Sequence, residues 1–555
     1  MENQQPTYDV QRFRNLFENE FTYLQGFARN AHRYARQTAL TCPLRERSWT
    51  YAELDAETNR LAAALRSDGV GKADLVMYQL FNCAEFVFLY LAPQKLGAIN
   101  CPINFRLSWG ETAYILDDSR PKVYCYDAEL AEVAEKALGS AKHQPERVVM
   151  IDVKGGHQPM AGAVSYADYV ASQPTTPLGL KNPTNVYDET TRLYTSGTTG
   201  MPKGVPLNNL NEIFSAHDVI MHFPLSPRDR TLNMTPWFHR GGLYSGGPCP
   251  TLYVGGQMVV LREFNAAKVL DYVEKYGLTF LIGAPATLKS LHDEQLLTPR
   301  DLSRLRGIVT MGAPLERDSC IQFQKVLSPH IFNGYGSTEA FWNCFLRPYD
   351  LPDKAGSTGR SCTDDDVAVV NIYPDRLAEP DDFVAKDGRT VGEVIVKPTA
   401  KCSFDYINKP EEAGLKYHQG WLYIGDLGVW DEHEFVTIAG RKDDMIISGG
   451  ENIQPVQVEE AINGHPKVAE NIVVGMPDEK WGEVVVAYVV PKDPSLTVPE
   501  LDAYCAGHPM LARYKRPRFY QLVDRLPTTA TGKKIHYKIR AQAIADAQAG
   551  LLQKP

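Results

Sequence analysis

The amino-acid sequence predicts an α/β fold in two parts. A large N-terminal body over residues 1–442 is expected to contain several subdomains with distorted, largely parallel sheets, and a small, mobile α+β domain is expected over residues 443–555. Three observations predict this. The length of 555 residues exceeds what one hydrophobic core fills. Strand-like and helix-like segments alternate through the body. A charged, glycine-flanked run from Gly440 to Asp444 then separates a tail with its own pattern.

Apolar runs in the body predict strands, and apolar residues spaced three or four positions apart predict helices. The strands are expected at 75–80, 122–126, 251–261, 278–283 and 307–312. The helices are expected within 48–65, at 86–96, 111–117 and 266–276, and near Leu288. Ligands of parallel sheets bind beyond the carboxyl ends of the strands. The loops at Thr195, Gly312 and Gly334 each follow a predicted strand, so we expect them to line one cleft.

The tail alternates between strands and helices on a smaller scale. Its strands are expected at 445–448, 471–475 and 484–490, and its helices at 456–462 and 499–506. A little over a hundred residues suffices for an independent core. The boundary is therefore placed at Asp443.

Composition excludes several classes of protein. The net charge of −9 and the pI of about 5.9 argue against general nucleic-acid binding, which needs a basic surface. Ten cysteines occur without zinc-ligand spacing, which favours a reduced, cytoplasmic chain. The N-terminus lacks a signal-peptide core. The most apolar stretch, 77–99, contains charged and amide side chains and predicts a buried helix rather than a membrane span. A homodimer is left open.

One short segment is unusually rich in small hydrogen-bond donors. Thr195-Ser-Gly-Thr-Thr-Gly200 is followed closely by Lys203. Glycines let backbone N–H groups approach an anion, and the hydroxyls and the lysine add donors and charge. We interpret it as a phosphate-binding loop between a strand ending at Tyr194 and a helix beginning near Leu210. It does not match the Walker motif or a G-x-G-x-x-G turn. The alternative is a surface turn rich in Ser and Thr.

Five motifs occur in a fixed order along most of the chain. They are the 195–203 loop, GYGSTE at 334–339, GWLYIGD at 420–426, GRKDDMIISGGENI at 440–453 and PTTATGK at 527–533. Together they resemble the adenylate-forming superfamily of acyl-CoA synthetases, firefly luciferases and peptide-synthetase adenylation domains. The resemblance implies that a carboxylate attacks the α-phosphate of ATP, that pyrophosphate leaves, and that the acyl-adenylate reacts with the thiol of coenzyme A.

The resemblance implies a nucleotide site. The residues assigned to ATP or AMP are Thr195, Ser196, Gly197, Thr198, Thr199, Gly200, Lys203, Gly312, Ala313, Pro314, Tyr335, Gly336, Thr338, Asp426, Arg441 and Lys533. Glu339 would bind Mg²⁺, which prefers oxygen ligands. Thr338 would contact the α-phosphate, and Tyr335 would stack on adenine. Asp426 would accept hydrogen bonds from both ribose hydroxyls, since one carboxylate offers two oxygens.

Catalysis and domain movement follow from the same resemblance. Lys533 would bridge the substrate carboxylate and the α-phosphate during adenylation, with His239, Thr338 and Glu339 as the other catalytic residues. The neighbouring Lys534 is expected to be a surface lysine. Asp443 would be the hinge about which the small domain rotates after adenylation. The residues assigned to coenzyme A are Arg106, Ser448, Gly449, Gly450, Trp481 and Lys515.

The identity of the carboxylic acid substrate is less evident from the sequence. The residues assigned to the acyl pocket are Trp237, His239, Gly312, Gly336, Phe341 and Trp342. Two bulky rings beside the GSTE element favour a short, medium-chain, alicyclic or aromatic acid over a long fatty acid, unless one or both rings point into the core. Two other functions remain open. A free-standing protein could load a phosphopantetheine carrier protein, and a luciferase-type oxygenase would share every motif.

Overall fold

The chain folds into two compact units. The computed structural model describes residues 8–181, 183–196, 201–373, 376–448, 451–478, 481–508, 511, 513–528 and 534–555. One unit comprises Met1–Asp366 with Lys397–Leu422, and the other comprises Val367–Val396 with Tyr423–Pro555. Asp443 lies inside the second unit, in the short 3₁₀ turn Lys442–Asp444. The domain boundary at that residue stays a prediction.

Strands supply the framework of both units. In chain order they are β1 Thr38–Cys42, β2 Arg47–Thr50, β3 Leu75–Gln79, β4 Ile99–Pro102, β5 Val123–Asp127, β6 Arg147–Ile151, β7 Ala163–Ser165, β8 Glu189–Ser196, β9 Pro202–Asn208, β10 Arg230–Asn233, β11 Gln257–Val259, β12 Phe280–Gly283, β13 Gly307–Met311, β14 Ile331–Ser337, β15 Phe341–Leu346, β16 Arg360–Ser361, β17 Asp366–Val370, β18 Gly392–Lys397, β19 Tyr417–His418, β20 Trp421–Trp430, β21 Val436–Arg441, β22 Ile446–Ser448, β23 Glu451–Ile453, β24 Val468–Asp478, β25 Gly482–Pro491 and β26 Phe519–Leu522.

Helices pack against these sheets. They are α1 Val10–Glu20, α2 Tyr23–Arg33, α3 Tyr51–Ser67, α4 Ala84–Leu91, α5 Trp109–Ser119, α6 Ala131–Ser140, α7 Tyr166–Val170, α8 Asn209–His222, α9 Arg240–Tyr244, α10 Pro248–Val254, α11 Ala266–Tyr276, α12 Pro285–Leu297, α13 Arg317–Val326, α14 Pro410–Gly414, α15 Pro455–Asn463, α16 Val498–Gly507 and α17 His536–Gln548. Several begin at caps that the sequence displays. Thr50 and Glu53 form a capping box at the start of α3, and Asn208 caps α8.

The first unit contains two largely parallel sheets. One has the strand order β16-β15-β14-β13-β12-β10-β11-β1-β2, and the other has the order β7-β6-β5-β3-β4-β8-β9. In the first of these sheets β10 to β14 pair in parallel, and β15 returns antiparallel to β14. This confirms the predicted α/β body. The carboxyl ends of β10, β13 and β14 lead directly to Thr235, Gly312 and Thr338, where a ligand is expected.

The segment after Thr195 differs from the sequence prediction. A strand, β9, lies between the predicted loop and the helix, and it pairs antiparallel with β8, so that Thr195 faces Lys203. Residues 197–200 lie outside the described residues. Residues 202–205 and Leu207 are buried, and this burial with the pairing to β8 outweighs the low strand propensity of the proline and glycine residues in β9.

Two other element assignments are also corrected. Thr251–Val254 belongs to α10 rather than to a strand, because Gly255 ends that helix in the left-handed region at a φ of 90°. The strand predicted at 251–261 is therefore limited to β11. The GYGSTE motif was expected in a loop, but Gly334 to Ser337 continue β14, and only 338–340 form the turn to β15.

The second unit contains two smaller sheets. In one, β18 lies between β17 and β20, and β21 pairs with β20. In the other, the order is β23-β22-β25-β24, with β26 parallel to β25. Helices α15 and α16 bury Val458, Ile462 and Leu501 against this sheet. These elements confirm the small α+β domain.

Candidate active site

The β8–β9 hairpin brings two of the proposed phosphate-binding residues together. Thr195 and Lys203 are directly opposite each other in the antiparallel ladder. Lys203 is buried at 5% exposure. Its ammonium forms an ion pair with Glu412 of α14, and it lies 5.5 Å from the centroid of the Tyr406 ring. A buried cation thus lies next to the turn of the hairpin.

The proposed magnesium ligand, Glu339, lies in the turn after β14. It is 8% exposed, and its carboxylate accepts a hydrogen bond from the Tyr406 hydroxyl. Burial and the adjacent Glu339 carboxylate raise the pKa of Tyr406, so this hydroxyl remains a donor. Tyr406 therefore touches both Lys203 and Glu339. The sequence analysis did not identify Tyr406. It lies in the segment FDYINKPEE, residues 404–412, which contacts both Lys203 of the 195–203 loop and Glu339 of the GYGSTE motif.

The β14–β15 hairpin is tightly packed around its glycines. A Cβ at Gly336 would lie 1.5 Å from the Phe341 carbonyl oxygen, and one at Gly334 would lie 2.7 Å from the Trp342 indole nitrogen. Phe341 adopts a left-handed φ of 59°, which is rare for an aromatic residue. Tyr335 pairs with Cys344 in the ladder and is half-buried. Backbone contact requires glycine at 336.

Arg240, which the sequence analysis missed, supports this hairpin from α9. Nη1 lies 2.6 Å from the Thr338 carbonyl oxygen, and Nη2 lies 2.7 Å from the Lys401 carbonyl oxygen. The guanidinium also lies 5.6 Å from the Phe341 ring centroid. Arg240 directly follows His239, so the pattern offered a signal: a cation in an otherwise apolar PWFHRGGLY segment.

A buried charge cluster lies beside Arg240. The Lys401 ammonium forms ion pairs with Asp218 and, at 2.6 Å, with Asp365, and it donates to the Trp342 carbonyl oxygen. Burial raises the pKa of Asp365 to about 6, against the opposing effect of Lys401. All three charged side chains are essentially inaccessible to solvent. The cluster fixes the start of β15.

Two of the predicted acyl-pocket residues follow β10. Trp237 is buried against Phe86, with ring centroids 5.6 Å apart. Burial, with a smaller contribution from Arg106, lowers the pKa of His239 to about 4, so the imidazole is neutral at physiological pH. Its Nε2 atom is buried and has no hydrogen-bond partner among the described residues. The exposed Arg106 guanidinium stacks on Phe105 at 5.1 Å.

The remaining acyl-pocket candidates divide between two environments. Trp342 packs with Phe223 and Phe345 at centroid distances of 5.9 and 4.6 Å, which is a core position. Phe341 instead packs on Tyr244 at 6.0 Å, next to Arg240. Gly312 has a φ of 83° and open space around its Cα, and Ala313 and Pro314 follow it in a partly exposed turn.

The second unit holds the proposed ribose site. Asp426 and Arg441 are directly opposite each other in β20 and β21, and Nη1 of Arg441 lies 2.5 Å from Oδ1 of Asp426. Asp443 is exposed, 3.8 Å from Arg441 Nη2. This arrangement places a carboxylate on β20 and a guanidinium on β21 side by side, and a carboxylate can accept from both hydroxyls of a ribose.

The proposed coenzyme A residues of this unit lie on one sheet and its flanks. Ser448 is buried at the end of β22, where it pairs with Gly482. Trp481 stacks under the Arg518 guanidinium at 4.4 Å, and Lys515 donates to Gln457 at 2.8 Å. Gly449 and Gly450 lie outside the described residues.

The catalytic lysine candidate, Lys533, also lies outside the described residues. Its neighbour Lys534 is described, and its side chain is 27% exposed. Lys534 forms a 2.6 Å ion pair with the buried Glu459, which also accepts from His536 Nε2 at 2.8 Å. Lys534 also bridges to Thr528 in the backbone. A buried carboxylate requires such a counter-charge.

Comparison with known families decides the class of enzyme. The family model for AMP-binding enzymes matches residues 27–399, and the model for the AMP-binding enzyme C-terminal domain matches residues 457–533. The chain belongs to the AMP-binding enzyme family. It is thereby an adenylate-forming acyl-CoA synthetase, which activates a carboxylic acid with ATP, releases pyrophosphate and transfers the acyl group to coenzyme A. This confirms the predicted family and reaction.

Named relatives of this AMP-binding enzyme act on acids of different size. The long-chain-fatty-acid–CoA ligase FadD13 of Mycobacterium tuberculosis is 32% identical over 89% of this chain and 93% of its own. The feruloyl-CoA synthase of an Amycolatopsis species is 34% identical over 88% of this chain and 93% of its own. The o-succinylbenzoate CoA synthetase MenE of Bacillus subtilis, solved with ATP and a magnesium ion, superimposes with a TM-score of 0.78 at 28% identity, covering 93% and 98% of the two chains.

In the part of the chain that the structure describes, no helix is both long and apolar enough to cross a membrane.

Proposed function

We propose that the first unit binds the triphosphate of ATP between Lys203 and Glu339. The observation that carries this proposal is Tyr406, whose hydroxyl contacts Glu339 and whose ring lies under the Lys203 ammonium. A cation and a carboxylate held by one rigid side chain suit a phosphate chain with Mg²⁺, since the ion binds carboxylate and phosphate oxygens together. Glu339 would hold the Mg²⁺ ion, which supplies positive charge against the leaving pyrophosphate.

We further propose that the acid is a short, medium-chain, alicyclic or aromatic carboxylic acid. Trp237 and Phe341 are large apolar side chains, and the imidazole of His239 is neutral, so none of the three offers a charge to a second carboxylate. Trp342 packs in the core against Phe223 and Phe345. The neutral imidazole of His239 suits an apolar gate better than an acidic or basic catalyst.

The second half-reaction is proposed to follow a rotation of the small domain at Asp443. During adenylation this domain would contribute Lys533 to the reacting carboxylate. Afterwards the face that carries Ser448, Gly449 and Gly450 would replace it, and Arg106, Trp481 and Lys515 would contact coenzyme A. A domain movement of this kind lets one acyl site serve two reactions.

Pyrophosphate release from acids of graded size, with and without coenzyme A, tests this proposal. Release with benzoate-sized or medium-chain acids, together with acyl-CoA formation, is expected. A preference for acids of sixteen or more carbons by ~100-fold in kcat/KM would contradict the proposed pocket. Thioester formed only on a carrier protein, or light emission, would identify one of the two rival functions.

A further inference from the structure

A short segment of the first unit contacts three parts of the proposed site. We define this segment, residues 401–412, as the strap. Lys401 donates to the Trp342 carbonyl oxygen, Tyr406 donates to the Glu339 carboxylate, and Glu412 forms an ion pair with Lys203. None of the five motifs identified in the sequence contains the strap.

The two side chains of the ion pair between Lys203 and Glu412 differ in their exposure to solvent. The Lys203 side chain is 5% exposed, and that of Glu412 is 22% exposed. A buried ammonium needs a counter-charge, because desolvation penalises an isolated cation. Glu412 supplies that charge at the Lys203 ammonium, which is the group that the phosphates of ATP would contact. The triphosphate and Glu412 therefore offer the same kind of partner to the same cation.

We propose, on the basis of the proposed function, that Glu412 competes with the β- and γ-phosphates for Lys203 and so sets the affinity for ATP and pyrophosphate. Two anions beside one ammonium repel each other, so phosphate binding requires Glu412 to withdraw. When pyrophosphate leaves, Glu412 returns to Lys203, and the lysine is not left unpaired. Product release is then easier than it would be from a lysine without a competing carboxylate.

Glu412 has a second cation to which it can turn. Its Oε1 atom lies 3.9 Å from the Lys409 ammonium, whose side chain is 36% exposed. Glu412 is half-buried on the short helix α14, so it reaches both lysines from one backbone position. An alternative partner lowers the cost of giving up Lys203, because the carboxylate remains paired.

Tyr406 keeps Lys203 in place during this exchange. Its ring contact with the ammonium does not involve Glu412, and its hydroxyl fixes Glu339. Tyr406 is thus a positioning residue for both groups. Its loss would affect Mg²⁺ and phosphate binding together, whereas loss of Glu412 would affect phosphate alone.

The test is calorimetric titration of the full chain with magnesium pyrophosphate. In Glu412→Gln we expect pyrophosphate to bind about 3- to 10-fold more tightly, since a partly buried ion pair no longer opposes it. The matched control is Glu411→Gln, which removes the same charge from the adjacent, exposed position of α14 and should bind as the parent does. In ATP–pyrophosphate exchange, in which pyrophosphate is a substrate, the KM for ATP and the KM for pyrophosphate should fall together in Glu412→Gln.

Tighter binding by Glu412→Gln cannot arise from partial unfolding, so a gain supports the inference. Equal or weaker binding by Glu412→Gln, with normal binding by the parent chain, would overturn the competition and leave the proposed function intact. Absence of binding by both proteins would contradict the phosphate role of Lys203 itself, and the inference would fall with it.

Discussion

Asp426 and Arg441 face each other across β20 and β21, with Arg441 Nη1 at 2.5 Å from Asp426 Oδ1. The guanidinium fixes one oxygen of the carboxylate and orients the group. A carboxylate held in this way is already oriented to accept hydrogen bonds from two neighbouring hydroxyls. The proposed ribose contact therefore depends on the pair rather than on Asp426 alone.

The first prediction concerns this pair. Asp426→Asn should raise the KM for ATP about tenfold or more, because an amide oxygen is a weaker acceptor than a carboxylate. The control is Asp381→Ala, an exposed acid of the same unit. Initial rates over a range of ATP concentrations measure the effect. An unchanged KM would place the ribose elsewhere.

The second prediction separates the two half-reactions. Lys533→Ala should reduce adenylation by about 10²- to 10⁴-fold, because a charged contact to the transition state is lost. Thioester formation from supplied acyl-adenylate and coenzyme A should remain near the parent rate. Lys538→Ala, an exposed lysine on α17, provides the control. Equal loss of both half-reactions would exclude a role for Lys533 in adenylation alone.

The third prediction tests the hinge. Asp443→Pro fixes φ near −65° in the Lys442–Asp444 turn and should hinder rotation of the small domain. Adenylation measured by pyrophosphate release should be retained within about twofold, and thioester formation should fall at least tenfold. Asp443→Ala removes the side chain but leaves the backbone free, and it should transfer normally. Unimpaired transfer by Asp443→Pro would remove this residue as the pivot.

The fourth prediction follows from the lowered pKa of His239, about 4 in the folded protein. The unfolded chain binds a proton near pH 6.5, so between pH 6.5 and 4 acidification favours unfolding. At pH 5 this linkage costs about 1–2 kcal/mol relative to pH 7. His239→Gln should lose less stability over that interval in urea unfolding. His433→Gln, at an exposed site, should behave as the parent does, and parallel pH curves for all three would contradict the lowered pKa.

The fifth prediction concerns the buried Lys401 cluster. Lys401→Met leaves Asp218 and Asp365 buried without their cation and should lower the free energy of unfolding by about 3–5 kcal/mol. Adding Asp218→Asn and Asp365→Asn to this variant removes the unpaired charges and should restore most of the loss. Denaturant unfolding measures both proteins. If Lys401→Met alone is as stable as the parent, the ion pairs of this cluster do not stabilise the fold.

Much of the fold follows from local pattern in the sequence. The apolar runs that became β3, β12 and β13 are local features and were predicted correctly. The β8–β9 and β14–β15 hairpins were not. Their glycine and proline residues have low strand propensity, and pairing across each hairpin holds them in strands.

The candidate site likewise contains some residues that the sequence could reveal and others that it could not. Lys203 and Glu339 could be found because they lie in motifs with phosphate and metal chemistry. Tyr406 and Arg240 lie far along the chain from the groups they contact, so spacing does not connect them with those groups. Only the apolar segment around Arg240 marks that cation as unusual. The ion pair of Lys534 could not be predicted for the same reason, since its partner Glu459 is 75 residues away in the sequence.

The close approach at Gly336 restricts how this enzyme can diversify. Because any side chain there would collide with the Phe341 carbonyl oxygen, position 336 cannot carry a side chain that narrows the proposed acyl pocket. In the proposed pocket, a change of acid preference would instead come from side chains such as Phe341 or Trp237, or from the loop after Gly312. Directed libraries for altered acid preference should therefore randomise those positions and keep position 336 unchanged.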